Sequence, residues 1–179
     1  MKSIVALIDH AVLHPTQTAD DLRVACRMCR EVGVASVCVK PAMVPLAAEL
    51  LEGSPVVPST VIGFPHGGTS TEAKVRETEV ACLDGAAEVD MVANIGAVLG
   101  GHWDEVASDI RAVVDSAHQA GAIVKVIFET GLLPDDDAKT RLCEVCEAVG
   151  ADFVKTSTGF GFVKDAEGAL KSTGATDHD

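Results

Sequence analysis

Two lysines and two aspartates stand where a charged side chain is hardest to accommodate, midway through short apolar runs. Asp9 lies in Leu7-Ile8-Asp9-His10, Asp90 in Val89-Asp90-Met91-Val92, Lys125 in Val124-Lys125-Val126-Ile127 and Lys155 in Phe153-Val154-Lys155-Thr156. Cys38, in Val37-Cys38-Val39, takes the corresponding place in a fifth run. The glycines act as a ruler. Five residues beyond Gly33, Gly85 and Gly150 lie Cys38, Asp90 and Lys155, and four beyond Gly121 lies Lys125. This spacing predicts that the five groups sit at equivalent heights of successive strands and converge, provided alternate side chains point inward. Burying a charge without partners is costly, so such a layer is either an ion-pair network that fixes register or a site built for chemistry.

The chemistry open to these groups is that of an amine nucleophile. A lysine among Val and Phe, close to a second cation, is expected to have a lowered pKa and to be reactive near neutral pH. Its attack on a carbonyl gives an imine, an electron sink for breaking or making the neighbouring C–C bond. Asp90 would move the protons, directly or through a water. Thr156-Ser157-Thr158-Gly159 follows Lys155 at once. Its hydroxyl and N–H groups suit a phosphate oxygen, and equally an ordinary polar strand end with a turn glycine. The loop Gly63-Phe64-Pro65-His66-Gly67-Gly68 is placed on the same face. It matches no P-loop and no G-x-G-x-x-G opens a helix, which argues against nucleotide binding.

Two CxxC pairs, Cys26/Cys29 and Cys143/Cys146, raise the question of zinc or a redox dithiol. Both fall within amphipathic helical patterns, where a spacing of three puts each pair on one face. They are expected to pack as small hydrophobes, with no metal site. Pro15 separates His10 and His14 from any helix that could align them as ligands.

The elements that must position these groups repeat as apolar run, loop and amphipathic helix. Strands are predicted at 7–13, 35–41, 57–65, 88–95, 123–130 and 152–158, and helices at 18–32, 44–52, 71–84, 103–120 and 135–149, with another beginning near Thr176. Thr18, Thr71 and Pro134 mark helix starts; Gly33, Gly85, Gly121 and Gly150 mark helix ends. Such alternation predicts an α/β fold of parallel strands joined by right-handed crossovers, a single domain over 1–179. Clustering of the charged groups toward the C-terminal strand ends fits a (β/α)-barrel site.

Composition narrows the partners. The 179 residues are 47% hydrophobic, 23% charged and 3% aromatic, with 14 basic against 27 acidic side chains and a net charge of −13. That balance disfavours nucleic acid and anionic membranes while leaving room for an anionic small molecule near local lysines. No apolar run spans a bilayer, and the N-terminal residues lack a leader pattern; a cytoplasmic location, with six reduced cysteines, is expected.

With these residues in view, the sequence resembles deoxyribose-phosphate aldolase. The matching stretches run in order through 7–10, 35–39, 60–65, 88–96, 124–130 and 152–160, nearly the whole chain. The resemblance implies a (β/α)8 barrel and reversible cleavage of 2-deoxy-D-ribose 5-phosphate to D-glyceraldehyde 3-phosphate and acetaldehyde, without metal or organic cofactor. It implies that Lys155 forms the Schiff base and Asp90 transfers protons, with Lys125, Asp9, Cys38, Thr158 and Gly159 around the substrate. A phosphorylated sugar and aldehydes would be the ligands, in deoxyribonucleotide catabolism. Two departures are visible. About six βα units are present where the family has eight, so the strand bearing a second lysine and the strand bearing a Gly/Ser phosphate loop have no counterpart. Phe160 stands where some relatives place a phosphate-facing lysine, for which Lys164 or Lys171 in the insert 161–171 could substitute. The chain is accordingly expected to be weakly active or inactive alone, and marginal, self-associating as a homo-oligomer, or completed by a piece from elsewhere. A binding or assembly module is the alternative.

Overall fold

A computed structural model describes residues 4–176 and 179. Its main sheet has six parallel strands in sequence order: β1 (Asp9–Val12), β2 (Ser36–Val39), β3 (Val57–Ile62), β4 (Glu88–Val92), β5 (Ile123–Ile127) and β6 (Phe153–Lys155). The intervening helices are α1 (Ala19–Val32), α2 (Val44–Leu51), α3 (Thr71–Leu83), α4 (Ile95–Leu99), α5 (Trp103–Gln119) and α6 (Asp136–Val149). Side-chain alternation decides which way each strand faces. Val37, Val39, Val89, Met91, Val124 and Val126 are completely buried against the helices, in one cluster with Leu22, Ile110 and Leu142. Ser36, Cys38, Ser59, Glu88, Asp90 and Lys125 occupy the alternate positions and face the other side. In a flat sheet β1 and β5 would stand about 19 Å apart at the usual strand spacing. Lys125 Nζ on β5 nevertheless lies 2.7 Å from Asp9 Oδ2 on β1, so the sheet is curled into a half-barrel with its polar face inside.

Helix boundaries follow local chemistry. Thr18 forms a capping box with Asp21, and Asp135 caps α6 by accepting from the Ala138 N–H. Gly33 and Gly150, at φ 78° and 81°, close α1 and α6 in the left-handed conformation. Ser70 caps α3 instead of Thr71, whose hydroxyl donates to Asp109 on α5. Lys74 of α3, wholly buried, donates to Asp109 at 2.5 Å and to the Val92 carbonyl at 3.1 Å, tying α3 and α5 to the end of β4.

The structure corrects several expectations. Every strand is shorter at its C-terminal end than predicted, because the polypeptide leaves the sheet to form the site loops. Residues 95–99 form the short helix α4, opened by the Asn94 side chain accepting from Ala97 N–H, where a strand end was expected. The insert forms an antiparallel hairpin, β7 (Gly161–Lys164) with β8 (Leu170–Thr173), and Asp165 Oδ1 accepts from Glu167 and Ala169 N–H in its turn. Residues 174–176 are irregular; the rest of the helix expected near Thr176 falls on 177 and 178, outside the described residues.

Cys26, Cys29 and Cys146 are buried while Cys143 is exposed. Burial pushes the Cys26 thiol up to about 11 and the Cys146 thiol up to about 12, so both remain apolar packing groups. Among the described residues no helix is long and apolar enough to cross a membrane, and no three His, Cys, Asp or Glu side chains converge as metal ligands.

Candidate active site

Strand register brings the charged groups together. Cys38 pairs with Ser59, Ser59 with Glu88, Asp90 with Lys125, and Ile127 with Lys155. Cys38, Asp90 and Lys155 thus climb two residues for every second strand, and so do Asp9, Ser59 and Lys125. This is the stagger of a tilted barrel, in which alternate strands supply alternate layers. The single layer expected from the glycine spacing is therefore two interleaved sets, one from even strands and one from odd.

At the centre, Lys155 Nζ donates to Asp90 Oδ2 at 2.6 Å. Asp90 is completely buried, and its Oδ1 accepts no hydrogen bond among the described residues although Lys125 Nζ is 3.6 Å away. Lys125 is held by Asp9 at 2.7 Å and by Glu88 at 2.5 Å. Ser36 donates to Asp9 at 2.7 Å and lies 3.2 Å from the Ser59 hydroxyl, extending the network to β3. A hollow of about 410 Å³ opens beside Lys125, Lys155, Glu88 and Asp9. A somewhat larger one, about 480 Å³, lies on the outer surface between α3 and α5, remote from the lysines.

Three carboxylates surround two ammonium groups, which settles the electrostatics. Burial alone would pull the Lys155 pKa down; Asp90 above all reverses this and holds it above the usual 10.5. Lys125 is likewise driven well above its ordinary value, burial being outweighed by Asp90, Asp9 and Glu88. Burial would raise Asp9, but hydrogen bonds from Lys125 and Ser36 prevail and keep it below 3.8. The expectation that a neighbouring cation lowers the Lys155 pKa is overturned. Acids outnumber amines, and Phe153 and Val154, the apolar neighbours invoked for desolvation, are about half exposed. Cys38 is pushed up to about 12 by burial and then by Asp90, which keeps it a thiol at neutral pH.

The loop beyond Lys155 is held from β5. Phe128 N–H donates to the Lys155 carbonyl and Thr130 N–H to that of Thr156, both at 2.9 Å. Between them Glu129, 1% exposed, adopts the left-handed conformation at φ 53°. For a residue other than glycine that costs about 1–3 kcal/mol and persists only where the surroundings enforce it. Its Oε1 accepts from the Ser157 hydroxyl, and its Oε2 from both the Thr158 N–H and the Thr158 hydroxyl. Gly159 N–H donates to Ser157 Oγ and Phe160 N–H to Thr158 Oγ1. The donors of Thr158 are thus engaged by Glu129 and that of Gly159 by Ser157. Phe160 packs edge-on against Phe64 at 5.4 Å, which brings the 63–68 loop to the same face. Lys171 pairs with Asp165 inside the hairpin at 3.3 Å.

All seven residues singled out from the sequence lie on the inner face or the loop that borders it. Glu88, Ser36, Ser59 and Glu129 were missed. Glu88 and Ser36 were accessible to a period-two reading, each standing two residues before a recognised position on the same strand. Glu129 gave no such signal, because its role depends on a loop 28 residues later.

Comparison with known proteins agrees with this geometry. Residues 3–179 match the DeoC/LacD family aldolases. The chain is 51% identical to deoxyribose-phosphate aldolase 1 of Cutibacterium acnes, over 88% of this chain and 71% of that protein. It is also 51% identical to deoxyribose-phosphate aldolase 1 of Bacillus licheniformis, over 89% of this chain and 70% of that protein. The tetrameric deoxyribose phosphate aldolase of Aeropyrum pernix superposes with a TM-score of 0.80 at 32% identity, covering 88% of this chain and 65% of that one. The chain thus spans between two thirds and three quarters of the curated relatives, and just under two thirds of that solved structure. Its six strands are the corresponding part of a (β/α)8 barrel, and the chain belongs to the DeoC/LacD family of aldolases.

Proposed function

We propose that this chain carries out the retro-aldol chemistry of 2-deoxy-D-ribose 5-phosphate through a Schiff base on Lys155. The observation that carries the reading is the Lys155 Nζ–Asp90 Oδ2 contact of 2.6 Å inside the curled sheet. An ammonium cannot attack a carbonyl, so one proton must leave Nζ, and Asp90 is within reach to take it. Nζ then bonds to C1 of the open-chain sugar. The same carboxyl returns the proton to the departing hydroxyl, and water leaves as the imine forms. The C2–C3 bond breaks with its electrons drawn toward the iminium, and the C3 hydroxyl proton passes to a base as glyceraldehyde 3-phosphate departs. Protonation of the enamine at C2 and hydrolysis release acetaldehyde and restore the amine.

Lys125, locked to Asp9 and Glu88, keeps a fixed positive charge 3.6 Å from Asp90. Cys38 lines the same face as an uncharged wall, and Thr158 and Gly159 form the rim the substrate meets. No metal or organic cofactor enters these steps. A cytoplasmic setting and assembly into a homo-oligomer, as in the Aeropyrum pernix relative, belong to the same proposal.

Incubation with acetaldehyde and borohydride, followed by peptide mapping, tests it. An ethyl group is expected on Lys155, absent in Lys155→Arg. Modification spread over surface lysines with Lys155 untouched would sink the assignment.

A further inference from the structure

We infer that Glu129 is a positioning residue for Lys155, acting through the loop 156–159; the inference deepens the aldolase reading and rests on it. The strand that carries Lys155 is three residues long and, among the described residues, has β5 as its one hydrogen-bonded neighbour. Regular pairing with β5 stops at Ile127 and Lys155; beyond them Thr130 N–H reaches the Thr156 carbonyl, and Glu129 anchors the next two residues. Its left-handed backbone turns the chain out of β5 and sends the carboxylate back beneath the loop. There both oxygens accept, from Ser157 and Thr158, while Phe128 and Thr130 N–H clamp the backbone on either side.

The carboxylate is sealed from water by the hairpin. A Cβ on Gly161 would collide with Thr173 Oγ1 and stand 3.0 Å from Glu129 Cδ and Oε1, so glycine lets β7 lie close over the carboxylate. No cation is paired with Glu129 among the described residues. Its partners are N–H and O–H donors alone, which is how a group fixes backbone geometry. An amide is a poorer replacement: its oxygen can serve Thr158, but its NH2 would face Ser157, whose hydroxyl must turn to accept, and the charge that strengthens all three bonds is lost.

The test combines Glu129→Gln with the double variant Ser157→Ala/Thr158→Val, which removes donors without touching β5. Leu142→Ala in α6 serves as a control that loses stability alone. The rate of borohydride-trapped ethylation at Lys155 is read against the melting temperature, together with hydrogen exchange at the Thr158 amide. Both site variants are expected to trap at least about tenfold more slowly, as misplacement of a reacting group does. Half-saturation in acetaldehyde should stay within about threefold, because aim and not affinity is lost. Protection of the Thr158 amide should fall while that of Val124–Ile127 persists. Leu142→Ala should melt lower yet trap at the parent rate. Trapping that follows melting temperature alike in all variants would overturn the inference. An unlabelled Lys155 in the parent chain would instead refute the aldolase reading. The exchange data would then decide alone, unchanged Thr158 protection in Glu129→Gln overturning the positioning role.

Discussion

At the scale of single residues, the raised pKa of Lys155 poses a problem that its partner answers. A lysine held above 10.5 is almost wholly protonated at neutral pH, and the reactive amine is scarce. If its proton had to escape to solvent, imine formation would quicken about tenfold with each pH unit. Transfer to Asp90 leaves the total proton count of the pair unchanged, so the two routes have different pH profiles. A trapping rate nearly flat between about pH 6 and 9 is expected for the parent chain. In Asp90→Asn the rate should be lower at neutral pH and climb with pH. Its plateau should come early, because burial, no longer opposed by that charge, pulls the Lys155 pKa down. A parent profile with a full tenfold slope would show that Asp90 is a counterion and nothing more. The groups in this exchange were legible in the sequence because a charge inside an apolar run is conspicuous. Their protonation was not, because it depends on how many carboxylates the curled sheet gathers around the two amines.

At the scale of elements, the alternation of strand and helix was readable to within a few residues wherever a cap or a positive-φ glycine marked the boundary, as at Thr18, Gly33 and Gly150. The misses share a cause. Helix α4 and the β7–β8 hairpin are too short to show a period, and each is set by one side chain, Asn94 or Asp165. The union of α3 and α5 was also invisible, since Lys74 reads as an ordinary surface lysine until its partner on α5 is known. That buried pair makes a prediction of its own. Lys74→Met alone strands the Asp109 charge and should cost about 3–5 kcal/mol by urea unfolding, whereas Lys74→Met with Asp109→Leu should recover most of the loss. Additive losses would indicate that each residue acts through packing, with no coupling between the charges.

At the scale of the whole molecule, the outer strands of the described sheet leave apolar side chains uncovered. Leu7 and Ile8 flank β1, and Phe153 and Val154 form most of β6; all four are about half exposed or more. Unpaired parallel edges with apolar side chains recruit other chains. Sedimentation velocity is expected to show mass increasing with concentration, and Phe153→Lys/Val154→Glu should shift the distribution toward monomer. A monomer throughout the accessible range would mean that the net charge of −13 suffices to keep the edges apart.

Lys155 stands on the outermost strand, with a third of its side chain in solvent. The hollow beside it is lined by Leu7, Phe153 and Val154 as well as by the charged groups, so one wall offered to an incoming aldehyde is apolar. An aldehyde with an apolar tail should therefore compete with acetaldehyde for this lysine better than one of equal size that carries a second negative charge against Asp9 and Glu88.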